Sequence, residues 1–382
     1  LPFVLSAGMG LNAYLAYTVV GVMGYHWQVA LLAVFVEGII FIVLSLTNVR
    51  EAIFDAIPLN LKKGVSVGIG IFIAFIGLQN AKLVIGNKST LVSITNFTKD
   101  FHTAGICSLL AVIGLLITVI LYIKKVPGSI LIGILATWVI GMLCQITGIY
   151  VPDFKTGYYS LFPTFAMTDF SKLGETFGKC FQYDLGKVGI FNFIAVVLSF
   201  LFVDLFDTLG TLVGVSTKAG MLDEEGKLPG IKPALMADAV ATTAGAVLGT
   251  STVTTFVESS SGVAAGGRTG LTAVVSGFLF LISTLFAPLF TAIPSFATAP
   301  ALIMVGFLML TSITKIDFSD YTEGFPAFIT IIMMVVAYSI STGLMFGTIS
   351  YVLIKALSGK GKELNPVIVI IAILFVIKFV LG

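Results

Sequence analysis

The stretch Gly249–Thr272, "GTSTVTTFVESSSGVAAGGRTGLT", decides how the whole chain is read. It has no leucine until Leu271 and centres on Glu258, yet it lies in a chain of membrane composition. Thr250–Val257 is rich in β-branched residues, which prefer extended backbone. At bilayer depth extended backbone survives only when buried in protein or lining a cavity. Small residues from Ser259 to Ala265 then restart a helix, whose free N–H groups and positive dipole end would face the Glu258 carboxylate. Such a junction offers a polar ligand both backbone and side-chain hydrogen bonds. The plainer alternative is a re-entrant loop whose glutamate faces outside water.

The 382 residues are 57% hydrophobic and 10% charged, against about 25% charged in soluble domains. With a mean hydropathy of +1.08, the chain reads as an all-α polytopic membrane protein of the plasma or inner membrane. Its net charge of +2 is scattered, so nucleic acid is not a partner. Cys107, Cys144 and Cys180 lack CxxC spacing, and the histidines are only His26 and His102. No metal site, cofactor or His-based triad is expected.

Apolar blocks predict helices near Leu11–Val22, Trp27–Leu46, Gly64–Leu78, Ala104–Ile123, Gly128–Gly148, Val188–Ser216, Pro233–Leu248, Leu271–Phe290, Thr298–Leu310, Phe325–Ile340, Gly343–Leu357 and Pro366–Val380, the last spanning or interfacial. Val49–Ile57 and Ile316–Glu323 suit short interfacial helices. Basic loop residues, beginning with Arg50, Lys62 and Lys63, set the cytoplasmic side. That leaves the longer loops Gln79–Thr103 and Ile149–Lys187 outside. Val4–Gly21 has the same layout as Gly249–Gly267, a short polar segment before a long apolar helix, and the overlay sets Asn12 opposite Glu258. Paired interrupted segments of this kind mark binding sites in inverted-repeat transporters.

Five acids lie within apolar segments: Glu37, Asp204, Asp207, Asp238 and Glu258. No basic residue other than Lys378 is expected at their depth, so each needs a proton or a ligand. Asp204 and Asp207 are three apart and share a helix face, with Thr208 and Thr211 one turn beyond. Asp238 is expected to complement the dipole of its helix, and Glu37 is left open.

Together "GMGLNAYLAYTVVG" (Gly8–Gly21), "FVDLFDTLGTLVGVSTKAGMLDEEG" (Phe202–Gly226) and the opening stretch resemble the AzgA-like purine permeases of the nucleobase:cation symporter-2 superfamily, along essentially the whole chain. The resemblance implies a uracil-permease-like fold of two inverted seven-helix repeats, with two half-helices preceded by short extended segments and the first two family helices missing here. It implies core segments at 1–60 and 188–292, gate segments at 61–148 and 293–382, and an external loop at 149–187. It also implies import of a purine base (hypoxanthine, guanine or adenine) by proton symport, with sodium and a homodimer left open. By the same resemblance Glu258 and Asp207 bind the base, with Asn12 at the opposing half-helix and Phe256, Val257 and Ser259 beside Glu258. Asp207, Glu258 and Asp204 are the proton-coupling candidates. Two alternatives stand beside this reading. One is a same-fold anion transporter, which would be expected to carry a neutral or basic residue at position 258. The other is an intramembrane aspartyl hydrolase, although the GxGD signature is absent and its two acids would come from one helix.

Overall fold

The computed structural model describes residues 1–8, 11–12, 14–98, 100–183 and 188–381. Met9, Gly10 and Ala13 of the first motif, and residues 184–187 at the end of the second long loop, lie outside them. Among the described residues, 8 helices are long and apolar enough to cross a membrane. They are α1 (Trp27–Leu46), α3 (Leu59–Asn80), α4 (Ile106–Ile123, extended to Phe101 by a π-helical turn), α5 (Ser129–Ile146), α6 (Ile190–Ala219), α7 (Ile231–Leu248), α10 (Ser295–Leu310, continued to Lys315 by a 3-10 turn) and α12 (Ile340–Leu357). Shorter apolar helices are α9 (Gly270–Leu285), α11 (Tyr321–Val336) and α13 (Pro366–Leu381). The short helices α2 (Val49–Ala56) and α8 (Ser259–Ala264) complete the set used below, with a π-helical segment at Tyr14–Val22.

Packing divides the chain into two compact units: residues 1–69, 169–273 and 310–382, and residues 70–168 and 274–309. In the first, strand β1 (Leu5–Ala7) pairs antiparallel with β4 (Val253–Thr255), Leu5 opposite Thr255. The pairing extends past the strands: Phe256 N–H donates to Val4 O at 2.8 Å, and Gly8 N–H to Thr252 O at 3.2 Å. The extended backbone that the threonine run predicts is therefore satisfied by its counterpart from the other end of the chain. The second unit holds the hairpin β2 (Val84–Asn87) and β3 (Leu91–Ile94). There α4 and α5 meet through reciprocal small residues. A Cβ on Gly114 would strike Thr137, and one on Gly133 would strike Thr118. Each threonine hydroxyl turns back onto its own helix, to Gly114 O at 2.8 Å and Gly133 O at 2.7 Å. Small residues at such crossings let backbones approach without a hydrophobic drive.

Several expectations are corrected. Ile316–Glu323 forms no interfacial helix. Asp320 is the N-cap of α11, accepting the Thr322 N–H at 2.8 Å, as short polar acceptors do at helix starts. Helix α2 exists but carries Arg50 fully buried. Its guanidinium pairs with Asp238 at 2.6 Å, donates to Leu235 O at 3.0 Å and lies over the Phe41 ring at 4.2 Å. Asp238, midway along α7 and also buried, is thus an ion-pair partner and not a complement to the helix dipole. A basic residue does reach the buried acids, because α2 folds back and points Arg50 inward. Nor is Lys62 a free loop charge, since it is buried and donates to Gly226 O at 2.7 Å.

Removing one member of a buried pair strands the other charge, so Asp238→Leu alone should destabilise by about 3–5 kcal/mol, whereas Arg50→Met with Asp238→Leu should cost much less. Thermal unfolding of the purified protein in detergent checks the difference. By the same measurement Gly114→Val, which overpacks the α4–α5 crossing, should cost about 1–3 kcal/mol.

Candidate functional site

The β1–β4 pair positions the acid of the opening stretch. Glu258 follows β4 after Phe256 and Val257 and occupies the N-cap position of α8, only six residues long, without a side-chain capping bond. Its side chain is half-buried, and its Oε2 is buried with no hydrogen-bond partner among the described residues. The N–H groups of Ser259, Ser260 and Ser261 are already taken, donating to the carbonyls of Phe256, Val257 and Glu258 at 3.0, 3.1 and 2.9 Å. This corrects the expectation that the first turn of the half-helix has free donors: a tight turn uses them. The Val257 N–H, two residues before Ser259, meets no acceptor among the described residues. Ser259 is buried, and its Oγ accepts the Val4 N–H at 2.9 Å, so its hydroxyl staples the junction to the first strand. The Phe256 N–H does the same through Val4 O, and its ring and Val257 are half-buried beside Glu258.

Asn12, opposite Glu258 in the overlay, is exposed, and its Oδ1 accepts from Ser251 Oγ, two residues before β4. The segment Val4–Gly21 therefore touches Gly249–Gly267 through strand pairing, through the Val4–Ser259 bond and through this side-chain bond.

Asp204 and Asp207 share α6 but engage different neighbours. Asp207 is half-buried and accepts the Ser341 N–H at the start of α12 at 3.1 Å. Asp204 is fully buried. Its Oδ1 accepts from Thr208 Oγ1 at 3.1 Å, and Thr208 meets Thr254 Oγ1 at 2.5 Å. On the same side Thr252 Oγ1 donates to Glu37 Oε2 at 2.9 Å. Thr252 and Thr254 are two apart on an extended segment and so present one face, while the Val253 carbonyl between them accepts from Thr242 Oγ1 at 2.6 Å. A second polar centre thus lies behind β4. It comprises Glu37 (α1), Asp204 (α6), Asp238 (α7) and Arg50 (α2), every side chain buried.

Sequence reasoning named Glu37 without giving it a partner, and it missed Arg50, Thr252 and Thr254. The alternation Thr252–Val253–Thr254 was the available signal, since an extended segment with one hydroxyl face needs polar groups opposite. Nothing in the pattern around Arg50 announced that α2 turns inward.

With this geometry in view, residues 1–377 match the family designated Xan_ur_permease, a permease family. Putative permease MJ0326 of Methanocaldococcus jannaschii is 46% identical over 99% of this chain and 82% of its own length. The guanine/hypoxanthine permease PbuO of Bacillus subtilis is 44% identical over 99% of this chain and 84% of its own. The adenine permease AdeQ of Escherichia coli is 39% identical over 100% and 81%. Among solved structures, the transmembrane domain of the cyanobacterial bicarbonate transporter BicA superposes with a TM-score of 0.50 at 14% identity, covering 91% of this chain and 84% of that one, which supports the expected uracil-permease-like fold. An aspartyl hydrolase is ruled out by the family match. The chain belongs to the Xan_ur_permease family: it is a multi-pass membrane transporter and not an enzyme.

Proposed function

We propose that the chain imports a purine nucleobase, hypoxanthine, guanine or adenine, by proton symport with alternating access to a site at Glu258. The observation that carries this reading is the unpartnered, buried Oε2 of Glu258 beside the free Val257 N–H. A purine edge offers N–H donors to the first and ring-nitrogen or carbonyl acceptors to the second. Relatives named as guanine/hypoxanthine and adenine permeases, 39–44% identical over nearly the whole chain, support the substrate class. A site of paired polar groups also rejects bases with the wrong edge, because mismatches leave those groups unpaired. Asp207 completes the proposed base contacts from α6, Asn12 and Ser259 hold the two motifs in register, and Phe256 lies against the base. The division into core segments (1–60, 188–292) and gate segments (61–148, 293–382) belongs to this proposal, as does the outward placement of loop 149–187.

Labelled hypoxanthine uptake by the full-length protein tests the reading. Losing a hydrogen bond to a charged group costs about 1.5–3 kcal/mol, so Glu258→Gln should weaken apparent affinity roughly 10- to 150-fold. Asp207→Asn should also depress uptake, and unlabelled adenine or guanine should compete where uracil does not. Near-normal uptake in both variants would refute the site. Uptake that persists without sodium and rises as the outside is acidified identifies the coupling ion as the proton.

A further inference from the structure

Among the described residues, the buried basic side chains are Arg50, Lys62 and Lys355. Arg50 pairs with Asp238, and Lys355 pairs with Glu323 at 2.8 Å and with Glu363 at 2.5 Å. Lys62, in the first turn of α3, is held differently. Its Nζ donates to the Gly226 carbonyl at 2.7 Å and lies 4.4 Å from the centre of the Phe54 ring. No carboxylate among the described residues reaches it within ion-pair distance. The difference decides what the contact can do. Parting a buried ion pair leaves an uncompensated charge behind. Parting Lys62 from a neutral carbonyl leaves none, and its flexible stem can carry the ammonium to water.

Gly226 lies in the turn between α6 and α7, and that turn is closed upon itself. The Asp223 N–H donates to Lys227 O at 2.9 Å, and the Gly226 N–H to Asp223 O at 3.0 Å. Asp223 Oδ1 accepts from the N–H groups of Glu225 and Lys227 at 3.0 and 2.8 Å. At Gly226 φ is +78°, and a Cβ would stand 3.2 Å from Leu59 Cδ1, so glycine serves both the left-handed backbone and the close approach to α3. A second contact runs beside the first. Lys218, in the last turn of α6, donates to Thr311 Oγ1 at 2.6 Å, in the 3-10 turn that continues α10. Asn60 exchanges two hydrogen bonds with the Asp317 backbone, at 3.1 and 2.9 Å, which ties the start of α3 to the chain entering α11. Helix α6 and its turn thus meet α3 and the end of α10 through two lysine donors, both on the side that the basic residues assign to the cytoplasm.

We propose that the Lys62–Gly226 contact is the latch of a cytoplasmic gate, formed in this structure and broken each time the site at Glu258 opens inward, with Lys218–Thr311 as its second tie. The proposal rests on the alternating-access reading above. Gly226 and Lys218 belong to its core segment 188–292, and Lys62 and Thr311 to its gate segments 61–148 and 293–382. When those segments separate at the cytoplasmic end, both lysine bonds have to part. Each is a single hydrogen bond to a neutral oxygen, so water takes over as partner on both sides and no covalent bond changes. The self-closed turn moves with α6 and α7 as one piece, and Lys62 stays with α3.

Pulsed electron paramagnetic resonance on the full-length, base-free protein in lipid nanodiscs tests the latch. Spin labels are placed at the exposed positions Glu224→Cys, on the turn, and Lys315→Cys, at the end of α10, with Cys107, Cys144 and Cys180 replaced by alanine. Lys62→Met should raise the ratio of long to short label separations about 10- to 150-fold, the factor that one hydrogen bond from a charged donor carries. Lys62→Arg, which still donates, should stay within about threefold of the unsubstituted protein. Lys218→Met should lengthen the separation in the same direction, and it decides the matter if Lys62→Met does not fold. Distributions that coincide in the unsubstituted protein, Lys62→Met and Lys218→Met overturn the proposal. So does a Lys62→Met protein that loses thermal stability without any lengthening. A wild-type protein that carries no purine instead removes the function proposed above, and the label separations still decide whether Lys62 holds the turn closed.

Discussion

The first unit depends on the need to pair every backbone polar group away from water. Two short extended segments from distant parts of the sequence, Leu5–Ala7 and Val253–Thr255, meet this need by pairing with each other. An unpaired strand in hydrocarbon would leave several N–H and C=O groups unsatisfied, each at a cost of several kcal/mol. Once paired, the strands position the residues next to them in the chain. β4 delivers Glu258 to a half-buried junction, and Ser259 pins that junction to Val4 at 2.9 Å. Asn12 pins the first motif to Ser251 in return.

The second constraint is charge. Four ionisable side chains, three acids and one base, are buried together behind β4. Asp238 meets Arg50, Glu37 accepts from the Thr252 hydroxyl, and Asp204 accepts from Thr208, which in turn meets Thr254. The pleat of an extended strand sends alternate side chains to opposite sides. One strand therefore sets Thr252 and Thr254 against buried acids while the chain just beyond it carries the carboxylate proposed to hold the base.

Much of this was legible in the sequence. The threonine run, the small-residue restart and the acid between them specified strand, helix and junction, and Gly249–Thr272 folds that way. Apolar length located the spanning helices to within a few residues, because bilayer thickness sets their length directly. The features that were not legible depended on long-range packing. Arg50 reads as a loop charge until α2 is seen folded against α7, and Asp238 reads as a dipole partner until Arg50 is found beside it. Ile316–Glu323 has the composition of an interfacial helix, but Asp320 caps α11 instead. The use of the α8 N–H groups by carbonyls of the preceding turn was likewise invisible, since sequence does not distinguish a tight turn from an open helix start.

The most direct measurement of the central claim is an experimental structure of the protein with hypoxanthine bound. The base should lie within hydrogen-bond distance of the Glu258 carboxylate, about 2.7–3.2 Å, with the Val257 N–H donating to its other edge and β4 still paired to β1. A base bound elsewhere in the protein, with Glu258 Oε2 making no contact to it, would contradict the account.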